Sequence, residues 1–318
     1  MDITLLLSNI TNPTLLFFVL GVFAVRVKSD LEIPPSSAKF ISLYLLFAIG
    51  FKGGQELSHS AFTPEILWSL LFGLAISACI PAYSFFILKR RLTISDSAAI
   101  AAAYGSVSAV TFVAASSFLE ARQLNFGGHM VAVMAFMETP AIIVGMLMLK
   151  LYESDSNVSF RQTAHHSFTN GSVLLILGSL VIGLIADEKQ AEGIKPFTTD
   201  IFKGFLAIFL LEMGMVSGRN LASFFKYGWF APVFAALMPL VNGCLVAFIS
   251  GSVTQEAGNR LMFAVLAASA SYIAVPAAMK MAAPKADPGL YIPMALAVTF
   301  PLNITVGMPL YLWVVGMS

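Results

Sequence analysis

The sequence is poor in charged residues, and this scarcity excludes most classes of soluble protein. Only 11% of the 318 residues are Asp, Glu, Lys or Arg, whereas soluble domains carry about 25%. Hydrophobic residues make up 58% of the chain and the mean hydropathy is +0.84. The net charge is only +1, and no basic stripe suggests a nucleic-acid partner. The composition predicts a membrane protein surrounded by lipid.

The sequence also offers little for disulfides, metal clusters or covalent catalysis. Its two cysteines, Cys79 and Cys244, lie within apolar runs, so we interpret them as packing residues. The N-terminal stretch “MDITLLLSNITNP” lacks a basic region and a small-residue cleavage site, which argues against a signal peptide. No Ser/His or Asp/Asp pairing occurs within the apolar runs, so we expect no enzyme and no organic cofactor.

Long apolar runs recur along the whole chain and predict an all-α polytopic membrane protein with ten transmembrane helices. Runs such as “ILWSLLFGLAISACIPAYSFFIL” are apolar on every side, unlike the alternating pattern of membrane β-strands. The first, second, sixth and seventh segments are short for a span of about 20 residues. The predicted segments are residues 13–27, 37–51, 65–88, 96–118, 129–151, 172–187, 201–216, 228–250, 258–282 and 290–315.

The basic residues predict the orientation of these segments. Twelve of the 18 Lys and Arg residues lie nearest to the loops that follow odd-numbered segments, including “KRR” at 89–91. Because positive residues are retained in the cytoplasm, these loops are expected to face inward. Both chain termini are then expected to face outside.

Two halves of the chain repeat each other. Three pairs of stretches align in the same order at offsets of 164, 163 and 162, which predicts a duplication. The pairs are “LFAIGFKGGQEL” with “LLEMGMVSGRNL”, “SVSAVTFVAA” with “SASYIAVPAA”, and “AIIVGMLML” with “NITVGMPLY”. Because five helices is an odd number, the second copy must be inverted in the membrane. We therefore predict a first repeat at 1–151, a short cytoplasmic loop at 152–171 and a second repeat at 172–318.

Small and polar residues interrupt the fourth helix of each copy at equivalent positions. Backbone groups freed by a break in lipid are costly unless they are used. Half-helix starts suit an anion, whereas carbonyls and hydroxyls suit Na⁺. The alternative is that each hydroxyl bonds to its own helix or allows close helix packing. The candidate binding residues are Gly105, Ser106, Ser108 and Thr111 in one copy, and Ser269, Ser271, Tyr272 and Pro276 in the other.

Acidic and polar residues within the neighbouring segments extend the candidate site. Glu138 lies two residues before Pro140 in an apolar run, and an intramembrane carboxylate is a functional-site hypothesis. The second copy offers Thr299 and Asn303 around Pro301, and both prolines predict kinks. Ser108, Glu138 and Ser271 are the candidate Na⁺ ligands. For Glu212, a second intramembrane acid, structural and functional roles are equally open.

Five stretches resemble the sodium-dependent bicarbonate transporter family known from cyanobacteria. They are “FKGGQEL”, “YGSVSAVTFVAASSFLE”, “FMETPAII”, “AASASYIAVPAA” and “LYIPMALAVTFPLNITVG”, in family order and spacing. The resemblance implies five-plus-five inverted repeats with broken helices 4 and 9, a homotrimer and a bacterial inner-membrane location. It also implies that bicarbonate and Na⁺ bind where the broken helices cross, at Gly105–Thr111 and Ser269–Pro276.

The sequence departs from the family pattern in three places. The family's second cluster reads as consecutive serines followed by Asp, whereas this chain has Ser269, Ala270, Ser271 and Tyr272. Glu138 stands where the family usually has Asp. The short loop at 152–171 also argues against the PII-like cytoplasmic regulator that docks on cyanobacterial members.

The resemblance implies Na⁺-coupled symport of bicarbonate by elevator-like alternating access. The departure at Tyr272 keeps open a Na⁺ symporter of another small carboxylate on the same architecture. A membrane sensor would normally need a soluble output domain, and a channel would favour a continuous polar file; neither feature is found in the sequence.

Overall fold

The computed structural model describes residues 12–59, 63–153, 165, 169–224 and 228–317. Most of the predicted loop at 152–171 therefore lies outside the described residues. The described chain is all-helical and contains no strand, which confirms the prediction of an α-helical membrane chain. Its helices are α1 (Pro13–Arg26), α2 (Pro35–Ser58), α3 (Pro64–Leu88), α4 (Ile94–Gly105), α5 (Ala109–Glu120), α6 (His129–Tyr152), α7 (Gly171–Ile185), α8 (Glu188–Lys195), α9 (Phe202–Phe224), α10 (Phe230–Ile249), α11 (Ala257–Ala268), α12 (Ala274–Ala282) and α13 (Pro288–Val315).

Within the described residues, six helical stretches are long and apolar enough to cross a membrane. They are Pro64–Leu88, Ile94–Glu120, His129–Tyr152, Glu188–Asn220, Phe230–Ser252 and Pro288–Val315. Shorter apolar helices occur at Leu15–Arg26, Gly171–Ile185 and Ala257–Ala268. The reading of the chain as ten spans in two repeats remains a prediction.

Several helix boundaries differ from the predicted segments. Helix α2 continues to Ser58, past the predicted end at residue 51, and α9 continues to Phe224, past residue 216. The polar helix α8 was not predicted; Asp187 and Gln190 form a capping box at its start. Helix α6 is α-helical through Pro140, whereas π-helical turns flank Pro301 in α13.

Glycines bring two pairs of helices into close backbone contact. Helix α2 packs along α7, and α1 packs along α9. A Cβ atom on Gly54 would lie 2.1 Å from the Leu180 carbonyl oxygen, and one on Gly183 would lie 2.2 Å from the Phe51 carbonyl oxygen. Such small residues allow membrane helices to pack without a hydrophobic driving force between them.

The remaining helices surround a central pair that is buried on every side. Each residue from Ala98 to Tyr104 in α4 and from Leu261 to Ala268 in α11 is at most 1% exposed. Large apolar side chains point outward from the peripheral helices; Ile185 is 76% exposed and Phe248 is 63% exposed. We interpret this outer apolar surface as the lipid-facing surface. Cys79 is also exposed, and it carries a free thiol.

Polar contacts close the two ends of the bundle. At the first end, Lys285 contacts Glu153 at 2.6 Å and Ser95 donates to the same carboxylate at 2.7 Å. The Lys285 ammonium, followed by the Ser95 hydroxyl, lowers the pKa of Glu153. We call this the Glu153 end. At the opposite end, named the Glu120 end, Lys203 on α9 contacts Glu120 on α5 at 3.2 Å.

Replacing Gly183 by Ala tests the close packing of α2 and α7. The new methyl group would overlap the Phe51 carbonyl, and overpacking costs about 1–3 kcal/mol. We expect the thermal unfolding midpoint of the detergent-solubilised protein, followed by intrinsic fluorescence, to fall by several degrees. The matched control is Gly178→Ala in the same helix, where a Cβ would meet nothing within 4 Å. Equal midpoints for the two variants would contradict the packing described above.

Candidate functional site

Two interruptions of the helical backbone meet at the centre of the bundle. Residues 106–108 separate α4 from α5, and residues 269–273 separate α11 from α12. The Ser108 N–H donates to the Ser269 hydroxyl at 2.9 Å, and the Ser271 N–H donates to the Ala103 carbonyl at 2.8 Å. Each interruption therefore provides a hydrogen-bond partner for backbone groups that the other leaves without an intrahelical partner.

Serine hydroxyls cap the helices that restart after each interruption. Ser108 precedes α5, and its Oγ accepts a hydrogen bond from the Thr111 N–H at 3.2 Å. Ser271 plays the corresponding part for α12, because its Oγ accepts from the Val275 N–H at 3.3 Å. The remaining first-turn N–H groups of each helix have no intrahelical acceptor. Both helix starts consequently present donors and partial positive charge.

Both helix starts line the same cleft. Its empty volume, including its open mouth, is about 390 Å³. Its lining comes from five helices and the interruptions themselves: Ser42, Leu46, Val107, Ser108, Ala109, Val110, Glu138, Ser172, Ser271, Tyr272, Ile273 and Ala274. Because Ser172 lies at the start of α7, the cleft extends toward the Glu153 end of the bundle.

Glu138 brings the only carboxylate among the described residues that line the cleft. The residue is 9% exposed, and its Oε1 has no hydrogen-bond partner among the described residues. An unpaired buried carboxylate is costly, and a cation or a hydrogen-bond donor would relieve that cost. The candidate Na⁺ ligands Ser108, Glu138 and Ser271 all line this cleft.

Tyr272 links the cleft to α9. Its hydroxyl donates to the Met213 Sδ at 3.7 Å and also interacts with the Ser108 side chain. The ring therefore lies between the two interruptions and a helix of the outer layer. In the described part of the chain, no three His, Cys, Asp or Glu residues come together as a transition-metal cluster would require.

Thr299 and Asn303 lie away from the cleft lining, and their polar atoms hold the surrounding helices. Thr299 donates to the Ala235 carbonyl at 2.8 Å and contacts the Tyr104 hydroxyl at 2.7 Å. Because the Thr299 proton is used, Tyr104 is the donor in that pair. Asn303 donates to the Ala268 carbonyl at 2.8 Å, at the end of α11.

The other candidate residues lie outside the cleft lining and pack near the interruptions. Gly105 packs against the ring of Pro81 in α3, where a Cβ would approach to 2.3 Å. Ser106 is fully buried, and its hydroxyl has no partner among the described residues. Thr111 uses its backbone N–H in the Ser108 cap, and Ser269 donates to the Leu266 carbonyl at 2.9 Å. Glu212 lies outside the cleft lining, with a buried Oε2 that has no partner within the described ranges.

Sequence reasoning missed a second amide at the end of α11. Asn242 donates to the Ala267 carbonyl at 3.3 Å, and the Tyr83 hydroxyl donates to Asn242 at 2.6 Å. Asn303 is fixed in the same way by Tyr311, at 2.8 Å. An asparagine within the apolar run “LMPLVNGCLVAF” was the available signal. Ser42 and Leu46 gave no such signal, because nothing in α2 distinguishes them from neighbouring residues.

Comparison with known proteins adds a family match to this geometry. The family model of the Na⁺-dependent bicarbonate transporter superfamily matches residues 13–316, nearly the whole chain. A comparison with curated proteins found no match.

Replacing Glu138 by Met tests whether the carboxylate is unpaired. Because an unsatisfied buried acceptor costs about 1–3 kcal/mol, and more when charged, we expect the variant to unfold at a higher temperature in Na⁺-free buffer. The control is Glu120→Gln, which removes a half-exposed surface ion pair worth about 0–1 kcal/mol. A lower midpoint for Glu138→Met would mean that the carboxylate has a stabilising protein partner.

Proposed function

Because the chain belongs to the Na⁺-dependent bicarbonate transporter superfamily, we propose that it imports bicarbonate together with Na⁺. Membership makes the chain a membrane transporter and not an enzyme. We infer in addition that Na⁺ and bicarbonate move together, that they move into the cell, and that residues of the cleft bind them. The observation that carries it is one cleft in which two helix starts and Glu138 come together.

The two helix starts support an anion site. Ala109 and Val110 from the start of α5, and Ile273 and Ala274 at the start of α12, line the cleft. Their N–H groups point out of the helix ends, where the helix dipole favours negative charge. Bicarbonate carries one negative charge and oxygen atoms that accept hydrogen bonds. We assign it to the space between these two starts.

Glu138 supports a Na⁺ site beside the anion. Sodium prefers oxygen ligands, and the Glu138 carboxylate and the hydroxyls of Ser108 and Ser271 line the same cleft. A bound Na⁺ would neutralise the unpaired carboxylate oxygen and attract the anion. Binding of either ion would therefore favour binding of the other, which is the thermodynamic basis of coupling.

Charge balance supports symport. Importing bicarbonate alone against an inside-negative potential opposes about 2.3 kcal/mol per 100 mV. One Na⁺ moving with each bicarbonate cancels this cost, and the Na⁺ gradient then drives uptake. The minimal stoichiometry in this proposal is therefore one Na⁺ per bicarbonate.

The packing of the helices supports two inverted repeats and alternating access. Helices α2 and α7 pair as α1 and α9 do, and the two interruptions occur at equivalent places in residues 1–151 and 172–318. We propose that α1, α2, α7 and α9 form a fixed scaffold, past which the interrupted helices carry the ions. The distribution of basic residues predicts that the Glu153 end faces the cytoplasm, and on that orientation we propose that the described conformation opens its cleft inward.

Uptake of ¹⁴C-labelled inorganic carbon into proteoliposomes tests the proposal. At a pH where bicarbonate predominates, we expect uptake with external Na⁺ and little with external K⁺. Ser108→Ala and Glu138→Ala should each reduce Na⁺-dependent uptake by about tenfold or more, because hydrogen bonds to charged groups are worth about 1.5–3 kcal/mol. Equal uptake in Na⁺ and K⁺ would overturn the coupling.

Glu212→Gln is the matched control for the acid. Glu212 is as buried as Glu138, at 9% exposure, but it lies outside the cleft lining. We expect this variant to retain Na⁺-dependent uptake. Loss of Na⁺ dependence in Glu212→Gln and not in Glu138→Ala would move the cation site to α9.

A further inference from the structure

Three consecutive basic residues follow α3 at the Glu153 end of the bundle. They are Lys89, Arg90 and Arg91, and we call them the basic cluster. Both arginines are exposed, and among the described residues neither guanidinium forms an ion pair. The sequence from residue 66 to residue 95 contains no Asp or Glu. Positive charge is therefore concentrated at the end of α3.

Aromatic rings hold the Lys89 side chain between the ends of α3 and α6. Its Nζ lies 3.9 Å from the centroid of the Tyr152 ring and 4.6 Å from the centroid of the Phe86 ring. The Phe85 ring packs against Tyr152, with the two centroids 5.2 Å apart. Because a cation is attracted to the face of an aromatic ring, these contacts keep the Lys89 charge beside both helix ends.

The described acids at the same end contact other groups. Glu153 contacts the Lys285 ammonium at 2.6 Å. Asp96 accepts hydrogen bonds from the Thr93 hydroxyl at 2.6 Å and from the Asp287 N–H at 2.8 Å. Within the described ranges, neither carboxylate forms an ion pair with the basic cluster. The charge of the cluster is therefore available to a bound anion.

Exposed apolar side chains adjoin the basic cluster. Phe86 and Ile87 belong to the last turn of α3, and Leu151 and Tyr152 belong to the last turn of α6. All four are exposed, Leu151 to 65%. They continue the outer apolar surface that we interpret as lipid-facing. Positive charge and exposed apolar surface thus occur together at the ends of these two helices.

A phospholipid has both of the features that match this place. Its phosphate is negatively charged, and arginine binds phosphate through parallel N–H donors. Its acyl chains are apolar and lie on the membrane side of the phosphate. A free phosphate or an acidic peptide matches the charge, but it has no acyl chain to pack against Phe86 and Leu151.

We propose that the basic cluster binds the headgroup of an anionic phospholipid, whose acyl chains pack against the last turns of α3 and α6. Arg90 and Arg91 bind the phosphate, and Lys89 adds a third positive charge beside it. The bound lipid connects the two helix ends and stabilises their contact. None of these residues lines the cleft that contains Glu138, so the lipid site is independent of the proposed transport function.

The experiment measures lipid binding to the detergent-solubilised protein by native mass spectrometry. The competing probes are dioleoylphosphatidylglycerol and dioleoylphosphatidylcholine, which have the same acyl chains, although only the first has a net negative charge. We expect phosphatidylglycerol to bind about tenfold more tightly or better, because each basic residue beside an anionic lipid contributes about fivefold in affinity. Phosphatidylglycerol should also raise the thermal unfolding midpoint more than phosphatidylcholine does.

The double variant Arg90→Gln, Arg91→Gln tests the cluster directly. It should weaken phosphatidylglycerol binding by about thirtyfold, by the same fivefold contribution per residue, and leave phosphatidylcholine binding unchanged. Because both side chains are exposed, its midpoint without added lipid should equal that of the unmodified protein. Arg91→Gln alone is the smaller change if the double variant unfolds, and about fivefold weaker binding is then expected.

The matched control is Lys189→Gln, Lys195→Gln, which removes two exposed cations from α8. Helix α8 lies at the Glu120 end, because Glu188 contacts His59, which lines a cavity together with Glu120. This control should bind phosphatidylglycerol as the unmodified protein does.

Three results would overturn the proposal. Equal binding of the two lipids would mean that the headgroup charge is not recognised. Equal losses in the arginine variant and the α8 control would mean a general effect of net charge. Competition by glycerol phosphate or poly-glutamate as strong as that by phosphatidylglycerol would assign the basic cluster to a soluble anion or an acidic protein.

Discussion

The hydrogen bonds between the two interruptions are the contacts on which the rest of the structure depends. A bundle in lipid has no water to satisfy a freed N–H or C=O group. The Ser108 N–H uses the Ser269 hydroxyl, and the Ser271 N–H uses the Ala103 carbonyl. Since neither interruption is satisfied without the other, the C-terminal ends of α4 and α11 have to meet in the centre. The outer helices then take the positions that cover this pair.

The two interruptions are supported unequally. The end of α11 is fixed by Asn242 and Asn303, each of which is oriented by a tyrosine hydroxyl. Among the residues that the structure describes, no side-chain amide does the same for the end of α4, where the Ser271 N–H is the donor. The end of α11 is thus held by α10 and α13. The end of α4 is held only through its hydrogen bond to the second interruption. A displacement of α12 would therefore be transmitted directly to α4.

The sequence alone predicted the fold class and most of the polar residues of the cleft. The apolar runs indicated an all-helical chain, and the serine clusters with Glu138 identified most of the polar residues that line the cleft. It could not distinguish residues that line the cleft, such as Ser108, from residues that hold the surrounding helices together, such as Thr299. Both are hydroxyl residues in apolar runs, and only their tertiary contacts differ. It missed α8, which has a polar sequence, and Leu46, which lines the cleft because of how α2 packs. The ends of α2 and α9 also follow from packing rather than from hydropathy.

The mutual dependence of the two interruptions has a consequence for biosynthesis. Ala103 leaves the ribosome before Ser271. The hydrogen bond between the Ala103 carbonyl and the Ser271 N–H therefore cannot form until the second half of the chain has been made. At about 5–20 residues per second, synthesis of the intervening chain takes roughly 10–30 s. During that interval the nascent first half contains a backbone break with no native partner. The polar backbone groups of this break must be satisfied in another way, by the insertion machinery, a membrane chaperone or water near the membrane interface. Truncation before residue 271 would make that exposed state permanent and the fragment a target for membrane proteolysis.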